Sequence, residues 1–182
     1  MKDDPKLAER DRIRSCYTSW SQNYFDTYLG EAADYPPVHV TLIDKLLKQA
    51  EARLILDVGC GPASMMRMLN DVERNLLGFD LTPAMVDEAK TVGRETGIPE
   101  ENFWVGDATD ANAYTFGPGI SGEGYDALIC SGVLPHLDDE EITPLFQNLR
   151  NAVKPGGLVI VEARNQLFSL FSLNRYSRDF FL

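Results

Sequence analysis

The chain has 182 residues, 44% of them hydrophobic, which suits a single domain with a real core. Its formal net charge is −11. That argues against a nucleic-acid partner gripped through phosphates, which needs a basic surface.

Residues 1–14 are heavily charged and lack the apolar stretch of a signal peptide. The following residues predict a helix over 7–29, with Ile13, Tyr17, Trp20 and Tyr24 at three- and four-residue spacing. Such an aromatic stripe is what a helix packs against a core. Tyr35-Pro36-Pro37 breaks the chain, and residues 38–49 predict a second helix.

Arg53-Leu54-Ile55-Leu56-Asp57-Val58-Gly59-Cys60-Gly61-Pro62-Ala63-Ser64 follows. A short apolar strand ends in an acid, two glycines bracket Cys60, and the Met-rich run over 63–69 reads as a helix. Strand, glycine turn and helix form the unit that binds nucleotide-like ligands at the carboxyl edge of a parallel sheet. A dinucleotide site needs a third glycine where Ser64 stands, and Pro62 removes a backbone donor from any phosphate cradle. A nicotinamide-dependent oxidoreductase is therefore disfavoured.

Residues 75–80 predict a second strand ending in Asp80, about 20 residues past the glycine turn, where a carboxylate can take the ribose hydroxyls. Thr82 then caps a helix with Pro83 at its first position, Met85, Ala89 and Val92 on one face, and Gly97 at its end. Residues 102–108 predict a third strand, ending Gly106-Asp107-Ala108. Three short strands ending in Asp57, Asp80 and Asp107 gather carboxylates at one sheet edge. The glycine-rich stretch 109–124 is long for a connection. Residues 125–132 predict a fourth strand, apolar throughout as in a sheet buried on both faces. Thr143-Pro144 marks a helix start, with Leu145, Leu149 and Val153 inward, and Lys154-Pro155-Gly156-Gly157 turns into a fifth strand over 158–161.

Asp57-Val58-Gly59-Cys60-Gly61-Pro62-Ala63 resembles the first motif of the class I S-adenosylmethionine-dependent methyltransferases, with Ala63 in place of the last glycine. Phe79-Asp80-Leu81, Val105-Gly106-Asp107-Ala108 and Val153-Lys154-Pro155-Gly156-Gly157 resemble later motifs of that family. The resemblance implies an α/β, Rossmann-like three-layer sandwich with a mostly parallel sheet. It implies S-adenosylmethionine as cofactor, bound by Asp57, Gly59, Cys60 and Gly61 at the turn and by Asp80 at the ribose. Leu81 and Met85 would then pack on the adenosine, and Asp107 with Ala108 would read the adenine. Ser131 joins this set after the fourth strand. The N-terminal aromatics Tyr17 and Tyr24 become part of a lid, and His136 in Val133-Leu134-Pro135-His136-Leu137 is either structural or a catalytic base.

The organisation expected is a helical lid over 1–50, a cofactor-binding core over 51–164 and an aromatic C-terminal helix over 165–182. Methyl transfer to a small-molecule acceptor is the leading function; a non-catalytic binding or assembly module is the alternative. Cys130-Ser131-Gly132-Val133 stands where the enzymes that methylate nucleobase or amide nitrogens carry an acid or amide followed by two prolines. That subclass is disfavoured. The family's C-terminal hairpin is missing after about five strands, so a truncated chain, a homo-oligomer or a partner chain meeting the C-terminal segment is expected. Residues 162–171 resemble a subset of these enzymes associated with surface-polysaccharide biosynthesis. The widely spaced Cys16, Cys60 and Cys130 fit reduced thiols of a cytoplasmic protein. With His39 and His136 they give no zinc spacing, so no metal is expected. No apolar run nears the roughly 20 residues that span a bilayer.

Overall fold

The computed structural model describes residues 5–20, 38–115 and 123–163. Tyr24 and the C-terminal segment lie outside them, as do the expectations attached to both. In chain order the elements are α1 (Pro5–Trp20), α2 (Val38–Gln49), β1 (Leu54–Val58), α3 (Ser64–Leu69), β2 (Asn75–Asp80), α4 (Pro83–Thr96), β3 (Phe103–Val105), β4 (Tyr125–Cys130), α5 (Asp139–Ala152) and β5 (Val153–Val161). Single 3-10 turns occupy Glu100–Asn102, Ala111–Tyr114 and Leu134–His136.

The strands form one sheet in the order β3-β2-β1-β4-β5, and every pairing is parallel. Successive side chains on a strand point to opposite faces, which divides the core in two. Ile55, Leu76, Ala127 and Ile129 face α2, α3 and α4 through Val40, Leu47, Met66 and Ala89. Leu56, Val58, Leu77, Phe79, Leu128 and Cys130 face α5 through Leu145 and Leu149. Both faces are covered, which is why these strands read as unbroken apolar runs. The chain leaves β1 in one direction for β2 and β3 and returns on its other side as β4. That reversal opens a crevice at the carboxyl ends of β1 and β4.

Several expected boundaries move. Helix α5 starts at Asp139 rather than at Thr143-Pro144, and Pro144 lies inside it. The cause is a capping box: Glu141 Oε2 accepts from the Asp138 amide at 3.0 Å, satisfying a donor that would otherwise be orphaned. Val153 is not a helix residue but opens β5, paired with Tyr125, and the register jumps before Ala127 meets Leu158. The Lys154-Pro155-Gly156-Gly157 turn is accommodated within that irregularity. Thr82 stands at the N-cap of α4, yet its side chain makes no cap bond. Gly97 ends α4 in the left-handed conformation, as a helix terminator should. Asn102 belongs to a 3-10 turn, and β3 begins one residue later. Among the described residues no helix is long and apolar enough to cross a membrane.

Candidate active site

The glycine turn after β1 is built by two amides on one acceptor: Gly59 N and Cys60 N both donate to Phe79 O at 2.9 Å. This ties the end of β1 to the end of β2. Gly59 has φ +75°, and a Cβ there would sit 2.4 Å from Val133 Cγ2, so only glycine fits. Gly61, at φ +53°, has nothing within 4 Å of a would-be Cβ. Its backbone faces open space. Ala63 also takes a left-handed conformation, φ 57°, while fully buried. For a residue with a Cβ this costs about 1–2 kcal/mol, so its substitution for glycine is tolerated rather than free.

Asp80 joins the turn to the next element. Its Oδ2 accepts from Gly61 N at 3.0 Å and its Oδ1 from Thr82 N at 2.8 Å. The Thr82 hydroxyl bonds the same carboxylate, which explains why it leaves the helix cap unmade. Burial raises the Asp80 pKa, with the amides of Thr82 and Gly61 pulling the other way.

A cavity opens at this edge, walled by the ends of β1 to β4 and closed on one side by α1. Its wall includes Gly59, Gly61, Asp80, Leu81, Met85, Asp107, Ala108, Ser131, His136 and Tyr17, all expected from the sequence. Asp57 and Cys60 are not on it. Both are buried, at 2% and 7% exposure, because the turn folds over β2 and covers the strand end beneath it. Burial and then the charge of Asp80 push the Asp57 carboxyl up to about 7. Burial also pushes the Cys60 thiol well above its ordinary range.

Sequence reasoning missed most of what α1 contributes. Arg10, Ile13 and Tyr17 line the cavity together, one helical face at spacings of three and four residues. Extending the stripe back from Ile13 would have reached Arg10. The Arg10 guanidinium bonds the Asp107 carboxylate, Thr109 Oγ1 at 2.9 Å and Glu141 Oε1 at 2.8 Å. Arg14 Nε reaches Leu81 O at 3.3 Å. Tyr17 Oη and His136 Nε2 are hydrogen-bonded at 2.7 Å, with their rings edge to face at 5.3 Å between centroids. Ser131 hydrogen-bonds Glu162 at the end of β5. Phe79, Val133 and Leu137 add apolar surface to the wall.

Chemically, the site pairs a bare backbone turn with the carboxylates of Asp80 and Asp107, at the end of β2 and just past β3. Among the described residues Arg10 is the only lysine or arginine on the cavity wall, and it is already bonded to Asp107 and Glu141. Nothing here resembles a phosphate cradle.

Residues 55–157 match the family model described as a methyltransferase domain. Glycine N-methyltransferase of Mus musculus is 29% identical over 146 residues, covering 76% of this chain and 49% of that protein. Ubiquinone biosynthesis O-methyltransferase of Xylella fastidiosa (strain M23) is 28% identical over 168 residues, covering 92% of this chain and 63% of that protein. Magnesium protoporphyrin IX methyltransferase from Synechocystis PCC 6803, solved with bound S-adenosylhomocysteine, superimposes with a TM-score of 0.58 at 22% identity, covering 80% of this chain and 68% of that one. At that identity the superposition establishes the fold. The chain thus spans about half to two thirds of the length of these curated relatives. The matched model covers more than half of the chain, and with the fold it places this protein in the class I S-adenosylmethionine-dependent methyltransferase family.

Proposed function

We propose that this chain binds S-adenosylmethionine in the cavity at the sheet edge and transfers its methyl group to a small-molecule acceptor. The observation that carries the proposal is the joint of Gly61 and Asp80. A backbone free of side-chain cover lies beside a carboxylate that the turn itself orients at 3.0 Å.

The residues fit the cofactor. Asp80 accepts from two amides and from the Thr82 hydroxyl, and a carboxylate has about four acceptor positions, so capacity remains for one ribose hydroxyl. Leu81 and Met85 offer an apolar wall for the nucleoside, and Asp107 with Ala108 lies where the base would be read. When bound, S-adenosylmethionine supplies a methyl group already activated on a sulfonium. The chain's own work is then to hold an acceptor in line and exclude water, and such positioning is worth up to about 7–11 kcal/mol. Tyr17 and His136 form a hydrogen-bonded couple on the wall; with the Tyr17 hydroxyl as donor, a proton released by the acceptor can be taken up at Tyr17 Oη as Tyr17 passes its own to His136 Nε2.

Calorimetric titration with S-adenosylmethionine, S-adenosylhomocysteine and NAD tests the reading. Binding of the first two and none of the third is expected. Tighter binding of NAD would overturn it, and binding without transfer to any acceptor would leave a cofactor-binding module.

A further inference from the structure

We infer that Arg10 is a positioning residue for the cofactor, fixing the Asp107 carboxylate so that it accepts one hydrogen bond from a purine amino group. This rests on the cofactor reading above and adds to it a residue from outside the sheet. Three observations converge. Arg10 stands on α1, 97 positions before Asp107 in sequence. Its guanidinium spans two carboxylates, Asp107 and Glu141, whose side chains are only 19% and 14% exposed. It bonds the Thr109 hydroxyl as well, at 2.9 Å.

The acceptor capacity of Asp107 then becomes limiting. Oδ1 takes the Thr109 amide at 2.9 Å and the Thr109 hydroxyl at 2.7 Å. Oδ2 takes Arg10 Nη1. With about four acceptor positions on a carboxylate, one remains, on Oδ2. Asp107 and Arg10 both line the cavity, so that position serves a ligand presenting a single N–H. An exocyclic amino group satisfies it. A 6-oxo purine would set a lone pair against it, and leaving an acceptor opposed in this way once the ligand has displaced water is costly.

Arg10 keeps the carboxylate from turning. Thr109 alone grips one oxygen and leaves rotation about that grip; the planar fork, held by Glu141 on its other side, removes it. Burial works against the Arg10 charge, but its hydrogen bond to Glu141 and the charges of Asp107 and Glu141 outweigh it and raise its pKa. Lysine cannot substitute, because a single ammonium does not present parallel donors to two carboxylates and a hydroxyl.

The test compares S-adenosylhomocysteine with S-inosylhomocysteine, which carries the 6-oxo purine, by calorimetry on the full chain and on Arg10→Met and Arg10→Lys. The unaltered chain should prefer the adenine ligand by on the order of tenfold or more, about 1.4 kcal/mol. In Arg10→Met the preference should shrink to about twofold, chiefly through weaker S-adenosylhomocysteine binding. Arg10→Lys keeps a cation on α1 and should lose the preference too, and it carries the test if Arg10→Met does not fold. Equal weakening of both ligands, or none, would make Arg10 a fastener of α1 alone and overturn the inference. If the unaltered chain binds S-adenosylhomocysteine but shows no preference, Asp107 does not read the base and the inference goes with it. If it binds neither ligand, the cofactor reading fails first and this one with it.

Discussion

Asp57 is a carboxyl group buried beneath the glycine turn, 2% exposed, with its pKa pushed to about 7 by burial and by the charge of Asp80. In the unfolded chain an aspartate titrates near ~3.9. Between about pH 5 and pH 7 the folded protein therefore holds a proton that the unfolded chain has released. The unfolded state binds fewer protons, so stability falls as pH rises through that window, by up to about 1.4 kcal/mol per pH unit for one group. Below about pH 4 the contribution is fully present; it declines from there, and above about pH 7 it is lost and the curve flattens. From pH 5.5 to pH 7 the loss from Asp57 amounts to at most about 2 kcal/mol. The sequence pI is near 4.6, and solubility is poorest around it, so measurement should begin above it. Urea unfolding of the wild-type chain and of Asp57→Asn at pH 5.5, 6.25, 7 and 8 would isolate the term. Asparagine cannot ionise, so its curve should lack most of the fall. A residual slope is expected from Asp80, whose pKa burial also raises. If both proteins lose stability at the same rate, Asp57 is not the buried titrating group and the account of the turn is wrong.

Asp80→Asn should weaken S-adenosylhomocysteine binding by about 1.5–3 kcal/mol, the range for hydrogen bonds to a charged group; unchanged affinity in a folded variant, read by calorimetry, sinks the ribose assignment. Gly59→Ala and Gly61→Ala should part company. The first meets Val133 at 2.4 Å and should lower stability by about 2–5 kcal/mol in denaturant titration, from backbone strain and overpacking together. The second meets nothing and should lose only about 1–2 kcal/mol, while S-adenosylhomocysteine binding drops sharply because the methyl group enters the ligand's approach. Amide exchange over residues 10–20 should slow when S-adenosylhomocysteine is added, if α1 is a lid over the cavity. Equal protection with and without ligand would make it a plain packing helix.

The sheet edge was legible in the chain because its determinants are local. A continuously buried apolar strand, an acid near its end and a glycine that no other residue can replace each leave a mark within a few positions. Asp80 and Asp107 could be placed at one sheet edge from the strand pattern, and the five parallel strands followed from apolar runs separated by helices. Helix α5 was misplaced by a turn because Thr143-Pro144 is a good local start signal. The Asp138–Glu141 box, another local signal, satisfies the helix end earlier, and Pro144 is carried inside. Other features depended on elements far apart in sequence. Asp57 and Cys60 carry the motif yet lie beneath it, because the amides of Gly59 and Cys60 close on Phe79 O and fold the turn over β2. Arg10 lacks any motif; its role comes from α1 lying across the strand ends, where Asp107 and Glu141, brought together by β3 and α5, give a guanidinium two carboxylates to join. Periodicity reveals which face of a helix is apolar, but a long-range ion pair exists only once packing has brought its partners within reach.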